Sequence, residues 1–206
     1  GAVMLATLAL ATFLFARLQV RVQGGELDAP QLLRSFVGQI ALPFILLATG
    51  GMVSTDRAAG YYRVIFSKPV HAGTHYLLRW LVGAAAIALV VPLASAAVAI
   101  ARGGVPFDSA LLVKLLLEHL LLGGTVFLCS TLLRWDWQVA LTLYAVELGL
   151  SAFAEAGGPL SGLPALLAMI LPPFHLAGVT SPMPPAAGLL HVLAYGAALV
   201  GGALLA

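Results

Sequence analysis

The chain has 206 residues, of which 61% are hydrophobic and 9% are charged, and its formal net charge is +2. A soluble domain carries about 25% charged residues, so this composition excludes a soluble globular protein. The mean hydropathy is +1.04, and continuous apolar runs of about 20 residues are long enough to cross a bilayer as helices. The chain is therefore predicted to be an all-α integral membrane protein, because a membrane β-barrel would alternate within segments of ~10 residues.

Six apolar segments predict six transmembrane helices in a single domain covering residues 1–206. The predicted spans are Ala2–Val20, Ser35–Val53, Tyr76–Ala101, Ala110–Leu133, Gln138–Ala156 and Ala186–Ala206. A further apolar run, Leu163–Leu171, ends at Pro172 and is too short to cross, so a re-entrant or interfacial segment is predicted before the last span. The chain begins with Gly1 rather than Met. We therefore expect that residues upstream are missing or that the start was processed.

The stretch Ser54–Trp80 is the only long polar interruption between apolar runs. Its ionisable residues are Asp56, Arg57, Arg63, Lys68, His71, His75 and Arg79. Thr55 or Asp56 is predicted to cap a short helix, and Pro69 is predicted to end it. One face of that helix is apolar, formed by Tyr61, Val64 and Ile65. From the physics alone, the helix either lies on lipid headgroups or docks another protein.

The residues of Ser54–Trp80 resemble the segment that follows the second span in permeases of the ABC-2 type. The matching residues are Asp56, Arg57, Gly60, Arg63, Ser67, Pro69, Val70 and Tyr76. In that family this segment is the cytoplasmic loop that touches the ATPase. The layout of the whole chain is also similar, with six spans and a broken apolar segment before the last one. Lys and Arg are divided nearly equally between the two sides, so the resemblance, rather than the positive-inside rule, places the stretch in the cytoplasm.

The resemblance implies a permease subunit of an ABC transporter, most often an exporter, in the inner (cytoplasmic) membrane. Its expected partners are a separate ATPase subunit, a second permease subunit in a homo- or heterodimer, and membrane lipids; no nucleic acid is expected. The implied ATPase-docking residues, within a short cytoplasmic coupling helix and its flanks, are Asp56, Arg57, Gly60, Tyr61, Arg63, Val64, Ile65, Ser67, Lys68 and Pro69. Because the chain lacks a G-x-x-x-x-G-K-[ST] phosphate loop, ATP and Mg are expected on the partner ATPase, and the chain alone is not expected to be an enzyme or to bind a cofactor.

Some ionisable residues lie well inside predicted spans, where a charge costs about 2.5–3.5 kcal/mol or more. Glu118, His119 and Glu147 could line a translocation path or form a proton-coupled pair. The alternative, which we prefer, is a neutral Glu hydrogen-bonded to a neighbouring helix. Lys114 precedes Glu118 by one helical turn, so an intrahelical ion pair could lower the cost.

Other chemistry has weaker support in the sequence. His71 and His75 have the spacing of a zinc pair, but Ala72 stands where a metalloprotease needs Glu, so no metal site is predicted. The single Cys129 excludes an internal disulfide. No Ser, His and Asp set lies at a consistent depth, so an intramembrane hydrolase is not predicted. The alternative function is a non-transporting scaffold or accessory subunit, and binding of an ATPase would distinguish the two.

Overall fold

The computed structural model describes residues 29–61, 63, 67, 71–102, 107–156, 162–178 and 182–206, and these residues form helices and turns without a β-strand. In chain order the helices are α1 (Ala29–Thr49), α2 (Ser54–Ala58), α3 (Ala72–Ala88), α4 (Val90–Arg102), α5 (Ser109–Glu118), a π-helical turn (His119–Gly123), α6 (Gly124–Leu132), α7 (Asp136–Glu155), α8 (Leu163–Ile170), α9 (Phe174–Ala177) and α10 (Ala186–Leu205). The first predicted span, Ala2–Val20, lies outside the described residues.

Within the described ranges, five helical segments are long and apolar enough to cross a membrane. They are Pro30–Ala58, Ala72–Ile100, Ser109–Leu132, Asp136–Glu155 and Ala186–Leu205. Within these residues the all-helical class is thereby confirmed, with five candidate spans where six were predicted for the whole chain. The last three segments agree closely with the predicted spans. The turn after α1 meets the start of α3, the end of α6, the start of α7 and the end of α10. We call this the loop end of the bundle.

The segment Ser109–Leu132 occupies the centre of the bundle. Of its most apolar window 67% is buried, against 11% for α7 and 22% for α10. Helix α1 packs its buried stripe against α3, α4 and the π-helical turn. This stripe repeats every three or four residues and consists of Leu32, Leu33, Phe36, Val37, Ala41, Phe44 and Ile45. The outer faces of α7 and α10 are also apolar, which is typical of helices surrounded by lipid or by another subunit.

Helix α1 differs from the predicted span at both ends. It begins at Ala29 rather than Ser35 and ends at Thr49 rather than Val53. Gly51 has a φ of +70°, a conformation that favours glycine and ends helices. A Cβ on Gly51 would lie 2.4 Å from the hydroxyl oxygen of Thr55. The glycine pair at 50–51 therefore stops the helix and starts the turn that leads into α2.

Two predicted spans are less regular than expected. The third begins earlier, at Ala72, and is divided at Leu89 into α3 and α4. Pro92 lies in the first turn of α4 and lacks the N–H that would bond the carbonyl of Ala88, so the helix is interrupted there. The fourth contains the π-helical turn His119–Gly123, an insertion that apolar periodicity does not predict.

The short apolar run before the last span forms helix α8, and a second short helix, α9, follows it. Helix α8 buries none of its side chains, whereas the single turn α9 buries Phe174 and Ala177. Pro172 and Pro173 separate the two helices, because neither proline can donate a helical hydrogen bond. Helix α9 packs against α5, α7 and α10.

Candidate docking site at the loop end

The short helix α2 receives its capping groups from elsewhere in the chain. Its N-cap residue, Val53, makes no side-chain capping bond, so the prediction that Thr55 or Asp56 caps this helix is wrong. Instead, the hydroxyl oxygen of Ser130, at the end of α6, accepts hydrogen bonds from the backbone N–H groups of Val53 (2.9 Å) and Ser54 (3.0 Å). Backbone donors that a local cap would satisfy are thus satisfied by another span.

A second span holds the same turn through Asp136, the first residue of α7. One carboxylate oxygen accepts hydrogen bonds from the backbone N–H of Gly51 (2.8 Å) and the hydroxyl of Ser54 (2.9 Å). The other oxygen accepts from the backbone N–H of Trp137 at 2.8 Å. Asp136 is only 2% exposed, so these bonds are shielded from water. Sequence reasoning did not identify Asp136 or Ser130 as site residues.

Asp56 connects the beginning of the polar stretch to α3. Its carboxylate pairs with the guanidinium of Arg79 at 2.6 Å, and the same guanidinium nitrogen donates to the carbonyl of Met52 at 3.0 Å. Tyr76, one turn before Arg79 on α3, also forms a side-chain hydrogen bond with Asp56. The two ends of Ser54–Trp80 are thereby joined, and the side chain of Asp56 points to α3.

Helix α2 ends at Ala58, and Gly60, just after its C-cap Ala59, has a φ of +71°. The N–H of Tyr61 bonds the carbonyl of Asp56 at 3.0 Å, and the N–H of Gly60 bonds that of Arg57 at 3.2 Å. This pair of bonds is a Schellman motif, for which glycine is the favoured residue. One continuous helix from Thr55 to Pro69, which the pattern predicted, is therefore wrong, because the chain turns at Gly60.

The remaining predicted docking residues are exposed where they are described. Arg57, Tyr61, Arg63 and Ser67 all face the surface, and Arg57 also donates a hydrogen bond of 2.6 Å to the carbonyl of Thr131. Val64, Ile65, Lys68 and Pro69 lie outside the described residues. The described part of the site therefore consists of a fixed base, α2, and of exposed cationic and aromatic side chains on it and just after it.

His119, one of the three predicted intramembrane candidates, is buried at the first position of the π-helical turn. Its ring stacks on the indole of Trp80, with ring centroids 4.7 Å apart and planes 25° apart. A Cβ on Gly123 would lie 2.8 Å from Nδ1 of His119. The missing side chain at position 123 therefore makes room for the imidazole ring, which packs between α3 and its own helix.

Glu147 lies in a different contact group, on α7. Its carboxylate accepts hydrogen bonds from the hydroxyl of Ser151 (3.1 Å) and the backbone N–H of His175 (3.2 Å), and it pairs with the ring of His175. Glu118, the third candidate, is also buried. Glu147 thus attaches α9 to α7, and His119 and Glu147 share no hydrogen bond within the described ranges.

The described residues contain no group of three or more His, Cys, Asp and Glu placed to hold a metal ion. His71 and His75 are linked by a backbone hydrogen bond of 3.1 Å, and the ring of His75 packs on the edge of Tyr76.

No family model, no curated protein and no solved structure matches the chain. Its function must therefore be inferred from its own residues and their geometry.

Proposed function

We propose that the chain is the membrane-spanning permease subunit of an ATP-driven ABC transporter of the ABC-2 type, working as an exporter with a separate ATPase subunit. The observation that carries the proposal is the attachment of α2 to three spans by Ser130, Asp136 and Arg79. A short surface helix that only rested on lipid headgroups would not need polar bonds to three other helices.

The bonds between α2 and three spans would allow α2 to transmit movement of a bound partner to those spans. Hydrogen bonds to charged groups contribute about 1.5–3 kcal/mol each, and α2 has such bonds to Asp136 at its start and to Arg79 at Asp56. A partner that displaced α2 would therefore displace the ends of α3, α6 and α7 with it. Nucleotide-dependent movement of an ATPase would in this way bias the spans between two arrangements.

The exposed side chains at the loop end indicate the chemistry of the partner. Arg57, Arg63 and Arg134 are cationic and exposed, and Tyr61 is 60% exposed. Arg and Tyr are enriched at protein interfaces, and complementary charge steers association. The proposed ATPase would thus present acidic residues to this end, on the cytoplasmic side of the inner membrane, and would carry the ATP and Mg.

The apolar outer faces of α7 and α10 suit lipid and a second permease subunit. Phe153 on α7 and Leu190 on α10 are more than half exposed. Large exposed apolar surfaces mark membrane or protein interaction sites.

Affinity purification from the native membrane in mild detergent, followed by mass spectrometry, tests the proposal. A stoichiometric partner with a phosphate-loop motif is the expected result. Purification alone, or with membrane subunits that lack this motif, would instead favour the non-transporting scaffold.

The docking assignment is tested with the variant Arg57→Glu and with deletion of residues 61–66. Either change should uncouple ATP hydrolysis from transport while the permease dimer stays folded. The matched control is Trp135→Phe, which alters an exposed residue at the same end but leaves the cationic side chains in place. Coupling that equals the wild-type value in both variants would show that the ATPase docks elsewhere.

A further inference from the structure

A cavity of about 480 Å³ lies beside α2 at the loop end. Its walls are mostly apolar and come from the turn before α2, from α3, from α6 and from α10; they include Val53, Gly73, Tyr76, Phe127, Ala203 and Leu204. Small-molecule sites in proteins have volumes of about 300–1,000 Å³ and predominantly apolar walls. The cavity therefore has the size and lining of a binding site.

Arg57 is the cationic residue at the border of this cavity. Its guanidinium donates to the backbone carbonyl of Thr131, which is a neutral acceptor. The nearby carboxylate of Asp56 is paired with Arg79, and that of Asp136 is occupied by the turn at 51–54. Within the described ranges Arg57 thus forms no ion pair with a carboxylate, and its guanidinium has donors available beside a mostly apolar cavity.

We propose that this cavity binds an anionic phospholipid, with one acyl chain between the apolar walls and the headgroup phosphate on Arg57. A guanidinium has five N–H donors in a planar fork that matches phosphate, and the bond to Thr131 leaves others to donate. Helix α2 ends the candidate span Pro30–Ala58, so in the proposed membrane arrangement Arg57 would lie at the depth of the headgroups. Basic pockets between membrane helices on the cytoplasmic side bind anionic headgroups.

The lining favours a lipid over other ligands that share part of its chemistry. A free phosphate ion would use Arg57 but would leave the apolar walls in contact with water. A zwitterionic lipid would fill the cavity, but its own cation would weaken the attraction to Arg57. An anionic lipid uses both features, and the membrane in which the chain is proposed to lie supplies it.

The test uses the full chain, with any subunits that purify with it, in nanodiscs of equal phosphatidylglycerol and phosphatidylcholine with identical acyl chains. Native mass spectrometry after release from the nanodisc counts the lipids that remain bound. The wild type should retain phosphatidylglycerol preferentially. Arg57→Gln should reduce that preference about fivefold, the size expected on removing one Arg beside an anionic headgroup, and Arg57→Lys should keep part of it.

A second variant tests the cavity itself. Ala72 is exposed and lines the rim, so Ala72→Phe should obstruct the cavity and lower retention of both lipids without disturbing the core. Arg134→Gln removes an exposed cation at the same end that does not line this cavity, and it should retain lipid as the wild type does. Monodisperse elution and an unchanged unfolding temperature establish that each variant is folded.

Three results would overturn the inference. The first is equal retention of the two lipids by the wild type, and the second is wild-type retention by both Arg57→Gln and Ala72→Phe. The third is release of the bound lipid by millimolar inorganic phosphate, which would identify a site for a free anion. If Arg57→Gln fails to fold, lipid retention by Arg57→Lys and by Ala72→Phe is compared with that of the wild type, and wild-type retention by both would overturn the inference. None of these results depends on the presence of an ATPase.

Discussion

The carboxylate of Asp136 accepts a hydrogen bond of 2.8 Å from the backbone N–H of Gly51, although 85 positions separate the two residues in the chain. Together with Ser130, Asp136 satisfies backbone donors at a turn that has no local capping side chain. Unsatisfied backbone groups are costly in a bilayer, because no water reaches them there. The loop end is thus held in place by side chains that cap a helix distant from them in sequence.

Replacing Asp136 should destabilise the loop end. Asp136→Ala removes the acceptor for Gly51, Ser54 and Trp137 and should lower the free energy of unfolding by about 2–4 kcal/mol, because bonds to a charged group contribute about 1.5–3 kcal/mol. Unfolding in a detergent titration measures the change. Glu155→Ala, at the exposed opposite end of the same helix, is the control and should change stability by less than about 0.5 kcal/mol. Equal effects of the two variants would contradict the capping role.

The pair Asp56 and Arg79 should show a measurable coupling energy. The side chain of Asp56 is 11% exposed and that of Arg79 is 44% exposed, so water screens the pair only in part. A double-mutant cycle with Asp56→Asn and Arg79→Gln compares the free energies of unfolding of the wild type, the two single variants and the double variant. It should give a coupling energy of about 0.5–2 kcal/mol, within the range seen for directly bonded residues. The same cycle with Asp56→Asn and Arg134→Gln provides the comparison, and its coupling should be near zero. Additive effects in the first cycle would show that the ion pair contributes nothing.

The sequence predicted the helical class and the five candidate spans of the described residues, because apolar runs of membrane length have few alternatives. It predicted that Ser54–Trp80 is a distinct polar element because charge is so rare elsewhere. It did not predict that Arg79, at the far end of this stretch, returns to Asp56 at its start. Such a pairing depends on how α2 and α3 pack, and local patterns carry no information about it.

The roles of individual glycines were also hidden in the sequence. Gly60 matched the family pattern, but its positive φ, which ends α2, was not foreseen. Gly51 lies within an apolar run, where glycine is tolerated in a membrane helix, and only the structure shows it as a helix stop. Asp136 could have been noticed as an acidic residue at the start of a span, where the helix dipole favours a negative charge.

Gly123 should not tolerate a side chain. In Gly123→Ala, the new Cβ would lie 2.8 Å from Nδ1 of His119 and 3.2 Å from a methyl group of Thr49, and overpacking of this kind costs about 1–3 kcal/mol. The change should be smaller when His119→Ala is also present, because the clashing ring is gone. Gly149→Ala is the matched control, since nothing lies within 4 Å of a Cβ at that position. The measurement is the unfolding temperature of the four variants. Equal decreases for Gly123→Ala and Gly149→Ala would show that the His119 ring does not pack against position 123.

Asp108 should make stability depend on pH at the end opposite the loop end. Burial raises the pKa of its carboxyl group, but the N–H of Leu111 and the guanidinium of Arg34 outweigh burial and hold that pKa below its ordinary value. The folded pKa is the lower one, so the stabilisation is complete above the unfolded pKa of about 3.9 and is lost as the pH falls through the folded pKa.

At neutral pH, Asp108→Ala should therefore lower the free energy of unfolding by about 0.5–2 kcal/mol, as expected for loss of an N-cap. The pair with Arg34 adds little, because the Arg34 side chain is 63% exposed and exposed ion pairs contribute little. The difference in the free energy of unfolding between Asp108→Ala and the wild type should become smaller below about pH 4. Asp108→Asn keeps a capping oxygen without a titrating group and should lack this dependence. If the free energies of unfolding of Asp108→Ala and the wild type differed by the same amount at every pH, the titrating role of Asp108 would be refuted.

Glu147 should control how firmly α9 is attached to α7. Its carboxylate accepts the backbone N–H of His175 at 3.2 Å, and Met at this position would keep the length of the side chain without strong acceptors. In Glu147→Met, amide hydrogen exchange over residues 174–178 should accelerate, because protection requires an intact hydrogen bond. Exchange in Ala186–Leu205 should stay unchanged, and so should exchange over 174–178 in the control Glu155→Met. If residues 174–178 exchange at the wild-type rate in Glu147→Met, then apolar contacts such as that between Tyr144 and Phe174 hold α9 without help from the carboxylate.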